Sequence, residues 1–138
     1  TKKMSKSHGV MSYIAVADRA EKIRQKIAAA VTDSGNAIIY DPVTKPAISN
    51  LLAIYHAFSG KELGVLEQNF EKSNYKQFKE ALAELLIEKL QPVQEKRKEL
   101  LENAHILPKI LEEGAEKARK KTSETLREVY EKIGLAIS

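Results

Sequence analysis

The 138-residue sequence has no cysteine, three histidines, six glycines and four prolines. Without thiols there is no disulfide, no thiolate metal site and no cysteine nucleophile. His8, His56 and His105 are too scattered in sequence to form an imidazole cluster in their place. No apolar run approaches the roughly 20 residues that a membrane-crossing helix needs, and no charged-then-apolar leader opens the chain. Internal repeats, low-complexity tracts and an alternating strand–helix pattern are also missing. These absences lead to the expectation of a soluble, cytoplasmic protein with no structural metal and no membrane association. The first residue is Thr1 rather than methionine, so the chain is expected to be a piece of a longer one.

Charge is present but unevenly placed. The net formal charge is +4. Residues 1–31 hold Lys2, Lys3, Lys6, Arg19, Lys22, Arg24 and Lys26 against Asp18 and Glu21, a local surplus of five positive charges. The rest of the chain is close to balanced, as solvated helix faces are. An anionic ligand is therefore expected first at the N-terminal end.

The apolar pattern is helical. Residues 1–17 carry no clean period, although Tyr13-Ile14-Ala15-Val16 suits a brief extended stretch. Asp18 with Glu21 looks like a capping box, in which the Asp oxygen accepts an orphan backbone N–H. Ala20, Ile23, Ile27, Ala30 and Val31 then follow at helical spacing. Thr32-Asp33-Ser34-Gly35 ends that helix, and an irregular connection with at most a small strand at 37–40 leads to Lys45-Pro46. Ile48, Leu51, Leu52, Tyr55 and Phe58 share one side of a second helix that stops at Gly60. A short helix fits 61–70. Tyr75 begins the longest segment, with Phe78, Leu82, Leu85, Leu86, Leu90 and Val93 inward and Pro92 expected to kink rather than end it. A last helix enters near Pro108, with Leu111, Ala115, Ala118, Thr122, Leu126, Val129 and Ile133 on its inner face and Gly134 as its stop. Gly114 within it is expected to admit a neighbouring helix. The fold class is all-α, an antiparallel helical bundle preceded by a mobile loop and a short irregular segment. Tyr55, Phe58, Phe78 and Tyr130 fall on apolar stripes and read as core rather than as base-stacking platforms, while His56 and His105 read as surface or satisfied polar residues.

The informative motif is Lys3-Met4-Ser5-Lys6-Ser7. Two ammonium groups three residues apart, with hydroxyls and free backbone N–H groups around them, suit a loop that gathers round a polyphosphate. Composition alone also allows a solvated basic terminus. The exact order, however, resembles the second signature of the class I aminoacyl-tRNA synthetases. Further segments resemble the tryptophanyl-tRNA synthetases in order and spacing. These are Ala30-Val31-Thr32-Asp33-Ser34, Tyr40-Asp41-Pro42, Lys45-Pro46, Ile48-Ser49-Asn50-Leu51-Leu52, Ile54-Tyr55 and Ser59-Gly60. Phe78-Lys79, Pro92-Val93-Gln94-Glu95, Glu113 through Ala118, and Val129-Tyr130 through Gly134-Leu135 continue the likeness. It covers essentially the whole chain, and its later segments separate the tryptophanyl from the tyrosyl enzymes. One departure is His8-Gly9, where the family commonly has Asp-Pro.

The resemblance implies a ligase that forms tryptophanyl-adenylate from tryptophan and ATP, then transfers the aminoacyl group to tRNA(Trp). It implies Lys6, assisted by Lys3, as catalytic residues, and Lys3, Met4, Ser5, Lys6 and Ser7 as the ATP-phosphate loop. Mg²⁺ would accompany ATP, and no metal ligand is expected in this chain. Residues 1–17 would be the loop with its exit segment and 18–138 a helical domain of the tRNA anticodon region. An upstream Rossmann domain carrying the first signature would be absent, leaving the fragment inactive alone. The family's homodimer would form through that missing domain. Arg19, Lys22 and Lys26 stand at i, i+3 and i+7 and meet either tRNA phosphates or solvent. Arg97, Lys109 and Arg119 are further candidates for the same contact. Asp33 and Ser34 suit either a specific polar site or turn formation. Competing readings are a non-catalytic helical RNA-binding or scaffolding module and a tyrosyl-tRNA synthetase fragment.

Overall fold

The computed structural model describes residues 9–135. They form five helices and, among the described residues, no strand: α1 (Ala20–Ala29), α2 (Pro46–Ser59), α3 (Leu63–Phe70), α4 (Tyr75–Glu102) and α5 (Ile106–Lys132). The all-α bundle expected from the apolar spacing is the observed fold class. Two compact units divide the chain, one through Gln94 and one from Glu95.

The first unit holds the core. Ile23 and Ile27 of α1, Ile48, Leu51 and Leu52 of α2, Leu66 of α3, and Phe78, Leu82, Ala83 and Leu86 of α4 are buried together with Ile38. Their spacings of three and four residues put one stripe of each helix against a shared interior. Tyr55, Phe70 and Phe78 form an aromatic trio with centroid separations of 5.3, 5.9 and 5.0 Å, two pairs edge-to-face and one stacked. Such pairs add roughly 0.5–1.5 kcal/mol each beyond area burial. The short run at 37–40 contributes Ile38 as an extended coil rather than a strand.

Helix ends explain the connections. Pro46 opens α2 at a position where its missing N–H costs nothing, and Gly60 closes it at φ +71°, its N–H bonded to the His56 carbonyl. Asn74 and Gln77 form a reciprocal capping box before α4, each side-chain oxygen accepting the other's backbone N–H at 2.9 Å. Lys79 reaches from α4 to the carbonyls of Ala28 and Ala30 at the end of α1, at 3.2 and 2.6 Å. Pro92 lies inside an unbroken α4.

Four expectations are corrected. The capping box is at Asn74/Gln77 and not at Asp18/Glu21: α1 starts at Ala20 with Arg19 as N-cap and no side-chain cap bond. Val31, Phe58 and Val93, placed inward by periodicity, are exposed because each lies near the end of its stripe, beyond the packed residues. No residue of α5 is buried, so its apolar stripe from Leu111 to Ile133 is exposed or half-buried throughout. Among the described residues nothing lies within 4 Å of where a Cβ on Gly114 would stand, and none of their helices approaches closely there.

Candidate functional site

Lys3, Met4, Ser5, Lys6, Ser7 and His8 lie outside the described residues. The described residues start at Gly9, in the segment that follows them. Residues 9–19 belong to no helix, yet polar contacts fasten this coil to the first unit. Ser12 donates its N–H and hydroxyl to the Gly9 carbonyl at 3.1 and 2.7 Å, making a tight turn. The Ala15 N–H donates to Asp18 Oδ2 at 2.8 Å, and the Asp18 N–H returns to the Ala15 carbonyl at 2.9 Å. Asp18 thus locks its own approach instead of capping the first N–H groups of α1.

Lys26, two turns into α1, donates its ammonium to the same Asp18 oxygen. Both side chains are nearly sealed, 3% exposed for Lys26 and 9% for Asp18. Lys22 lies 3.8 Å from the other carboxylate oxygen. The Lys26 ammonium also stands 4.8 Å from the centre of the Tyr13 ring, a cation–π contact that draws the coil inward. Gln94, near the end of the first unit, donates its amide to the carbonyls of Val16 and Asp18 at 2.8 and 3.1 Å. Burial pushes the Asp18 carboxyl up, but the bonds from Lys26 and Ala15 and the charges of Lys26 and Lys22 outweigh it, leaving it below its ordinary value.

A second polar cluster ties the connection between α1 and α2 to the start of α4. Tyr75 donates its hydroxyl to Asp33 Oδ1 at 2.7 Å, and Lys45 reaches the Asp33 carboxylate at 3.3 and 3.4 Å. The Gly35 N–H also bonds Asp33, at 2.8 Å. A Cβ on Gly35 would sit 2.9 Å from that carboxylate and 3.0 Å from the Lys45 nitrogen, so the cluster closes against bare backbone. Asp33 therefore both shapes the turn and holds the cluster. The Tyr75 bond lowers the Asp33 carboxyl from its usual value, and the same hydroxyl raises Lys45.

The expected phosphate-contacting cations separate. Arg19 and Lys22 line one open depression of about 430 Å³ at the start of α1, together with Asp18, Glu21 and Gln25. Lys26 leaves this set, a correction to the i, i+3, i+7 stripe. Its ammonium is committed to Asp18 inside the fold, because an unpaired carboxylate there would carry a large desolvation cost. Arg97, Lys109 and Arg119 are exposed in the second unit. Among the described residues no group of three or more His, Asp or Glu is placed to hold a metal ion. Nor is any described helix long and apolar enough to cross a membrane.

Sequence reasoning did not foresee the Asp18–Lys26–Gln94 arrangement. Asp18 and Lys26 are eight residues apart, about 12 Å along a helix axis, so helical spacing alone does not pair them. The contact forms because Asp18 lies in the coil before α1 and the long Lys26 side chain reaches back to it. Gln94 lies 76 residues from Asp18 and has no local signal, although it stands in the Pro92–Glu95 segment of the family likeness.

Comparison with known proteins agrees with that likeness. The family described as tRNA synthetases class I (W and Y) matches residues 1–91. A tryptophan–tRNA ligase of Rickettsia felis is 44% identical over 99% of this chain and 42% of its own length. That of Bacillus anthracis is 43% identical over 99% of this chain and 41% of its own. The crystal structure of tryptophanyl-tRNA synthetase from Mycoplasma pneumoniae superposes with a TM-score of 0.85 at 30% identity, covering 98% of this chain and 41% of that one. The chain spans about two fifths of the length of these relatives. With its basic opening motif, its helical order and two thirds of its length matching one family, the chain belongs to the class I tRNA synthetases of the tryptophan and tyrosine type.

Proposed function

We propose that the chain is the C-terminal part of a tryptophan–tRNA ligase, beginning at its second signature loop. Residues 1–17 form the loop and its exit, and 18–138 form the helical domain that connects to the tRNA anticodon region. The Rossmann domain with the tryptophan pocket lies upstream, and the homodimer forms through it. The observation that carries this reading is the 44% identity to a ligase named for tryptophan over 99% of the chain, beyond a family shared by the tryptophan and tyrosine enzymes.

Attack of the tryptophan carboxylate on the α-phosphorus of ATP moves negative charge onto the departing pyrophosphate. Lys6, with Lys3, meets that charge as it develops, which lowers the barrier rather than only tightening ATP binding. Met4, Ser5 and Ser7 add backbone and hydroxyl donors to the same oxygens. Mg²⁺ is proposed to accompany the ATP phosphates, whose oxygens are the hard ligands it prefers. Arg19 and Lys22, and in the second unit Arg97, Lys109 and Arg119, are the cations proposed for tRNA phosphates, with binding that weakens as salt rises.

The test is ATP–pyrophosphate exchange by the full-length protein. Lys6→Ala is expected to slow exchange roughly 100-fold or more while tryptophan affinity holds. Exchange near the unmodified rate removes Lys6 from the mechanism, and preference for tyrosine in the same assay overturns the substrate. The 138-residue chain alone is expected to show no exchange.

A further inference from the structure

We propose that Asp18, Lys26 and Gln94 are positioning residues that fix where the phosphate-binding segment 3–7 leaves the helical fold. The inference rests on the role proposed for Lys3 and Lys6.

The exit coil has little apolar anchorage. Ile14 packs partly on the core, while Val10, Met11 and Val16 are 58%, 47% and 52% exposed. What holds the coil is directional instead. Asp18 grips the Ala15 N–H, Lys26 grips Asp18 from α1, and Gln94 grips the backbone of the same turn through the Val16 and Asp18 carbonyls. Lys26 also seats Tyr13 by its ring. As a source of stability alone, a buried ion pair is a poor choice, because apolar packing of equal volume commonly does as well. Its hydrogen bonds do something apolar packing does not: they specify the path of an otherwise unsupported backbone. A lysine that must meet pyrophosphate oxygens to within an ångström needs a base held to that tolerance. Five residues separate Ser7 from Tyr13, so the path of the coil sets where that segment joins the fold.

The experiment measures ATP–pyrophosphate exchange by the full-length protein carrying Lys26→Met, Asp18→Asn or Gln94→Met. Lys6→Ala serves as the control for the underlying reading. Ile27→Val, a core change on the same helix, serves as the control for stability. Exposure of the latch is read separately in the 138-residue chain as hydrogen exchange at the Ala15 amide. The latch variants are expected to lower kcat roughly 10- to 100-fold with the tryptophan KM unchanged, and to speed exchange at Ala15. Ile27→Val, compared at equal distance below its own Tm, is expected to leave kcat unchanged. Should Lys26→Met misfold, Gln94→Met still removes two of the bonds and leaves the ion pair whole. Latch variants with the unmodified kcat, while Lys6→Ala is slow, overturn the positioning role and leave the proposed reaction standing. A slow Ile27→Val matching the latch variants overturns it as well, by reducing the effect to stability. If Lys6→Ala itself is fast, the underlying reading fails and the positioning role falls with it, even where the Ala15 amide shows that the latch has opened.

Discussion

The two units use the same helical grammar with opposite results. In the first, Ile23 and Ile27, or Phe78, Leu82 and Leu86, recur at three and four residues and are buried. In the second, Leu111, Ala115, Ala118, Leu126, Val129 and Ile133 recur just as regularly, and none is buried. Periodicity thus identifies which face of a helix is apolar, whereas covering that face needs a second surface. The first unit supplies several, from three further helices and a coil residue, Ile38. It also uses polar side chains to satisfy its own backbone and charges: Lys79 on the end of α1, the exposed pair Asn74 and Gln77 on the start of α4, and Lys26 on the buried Asp18. The ion pairs of the second unit are local, such as Lys98 with Glu102 and Arg127 with Glu131, and contribute little because both partners are solvated.

The contrast is most sharply broken at Phe78. Phe78→Ala should cost about 3–5 kcal/mol of the stability of the 138-residue chain, enough to unfold most of the first unit. Leu126→Ala on α5 should stay within about 0.5 kcal/mol, as exposed sites do. Urea unfolding measures both, and equal losses would mean that the α5 stripe is covered after all.

Acid should be the next largest perturbation, and it should act on the first unit. Asp18, Asp33, Asp41 and Glu84 are all held below their ordinary values: Asp41 by the bonds from Thr44 and Val43, Glu84 by Arg24. A carboxyl lowered by folding adds stability above its unfolded pKa and loses it as pH falls through the native one. The urea midpoint should therefore fall from about pH 4 downward. A midpoint constant from pH 5 to pH 2 would contradict the assignment.

Lys79→Met should follow, at about 1 kcal/mol, because it removes a charged donor from two carbonyls left over at the end of α1. The matching change in the second unit, Lys121→Met, should leave the midpoint where it is. The smallest effect belongs to Gly114→Ala, which has open space around it and should strengthen α5 by up to about 1 kcal/mol. A rise in helical circular dichroism without a shift of the main transition would fit. Loss of helix would show that a neighbour does approach there.

Much of this was legible one residue at a time. Pro46 and Gly60 bracket α2 because one lacks an N–H where none is needed and the other accepts a left-handed turn. The motif of Lys3 through Ser7 is readable by identity alone, as two lysines three residues apart with Ser5 between them and Ser7 after them. Asp18 was misread because a carboxylate three residues before a glutamate suits a cap equally well. What decided between cap and latch was Lys26 reaching back to it and Gln94 arriving from far along the chain. Lys26 was misread for the related reason that helical spacing gives a direction around an axis and not the presence of a buried acid beside it.

Local chemistry in the chain determined the helices, their ends, the basic opening motif and the family to which it belongs, because each depends on residues within a turn or two of one another. Only the tertiary structure decided which apolar faces are covered, which lysines face solvent, and what holds the exit of the basic segment. Those outcomes depend on groups that distant stretches bring together, and burial turns such meetings into strong constraints where water would have made them weak.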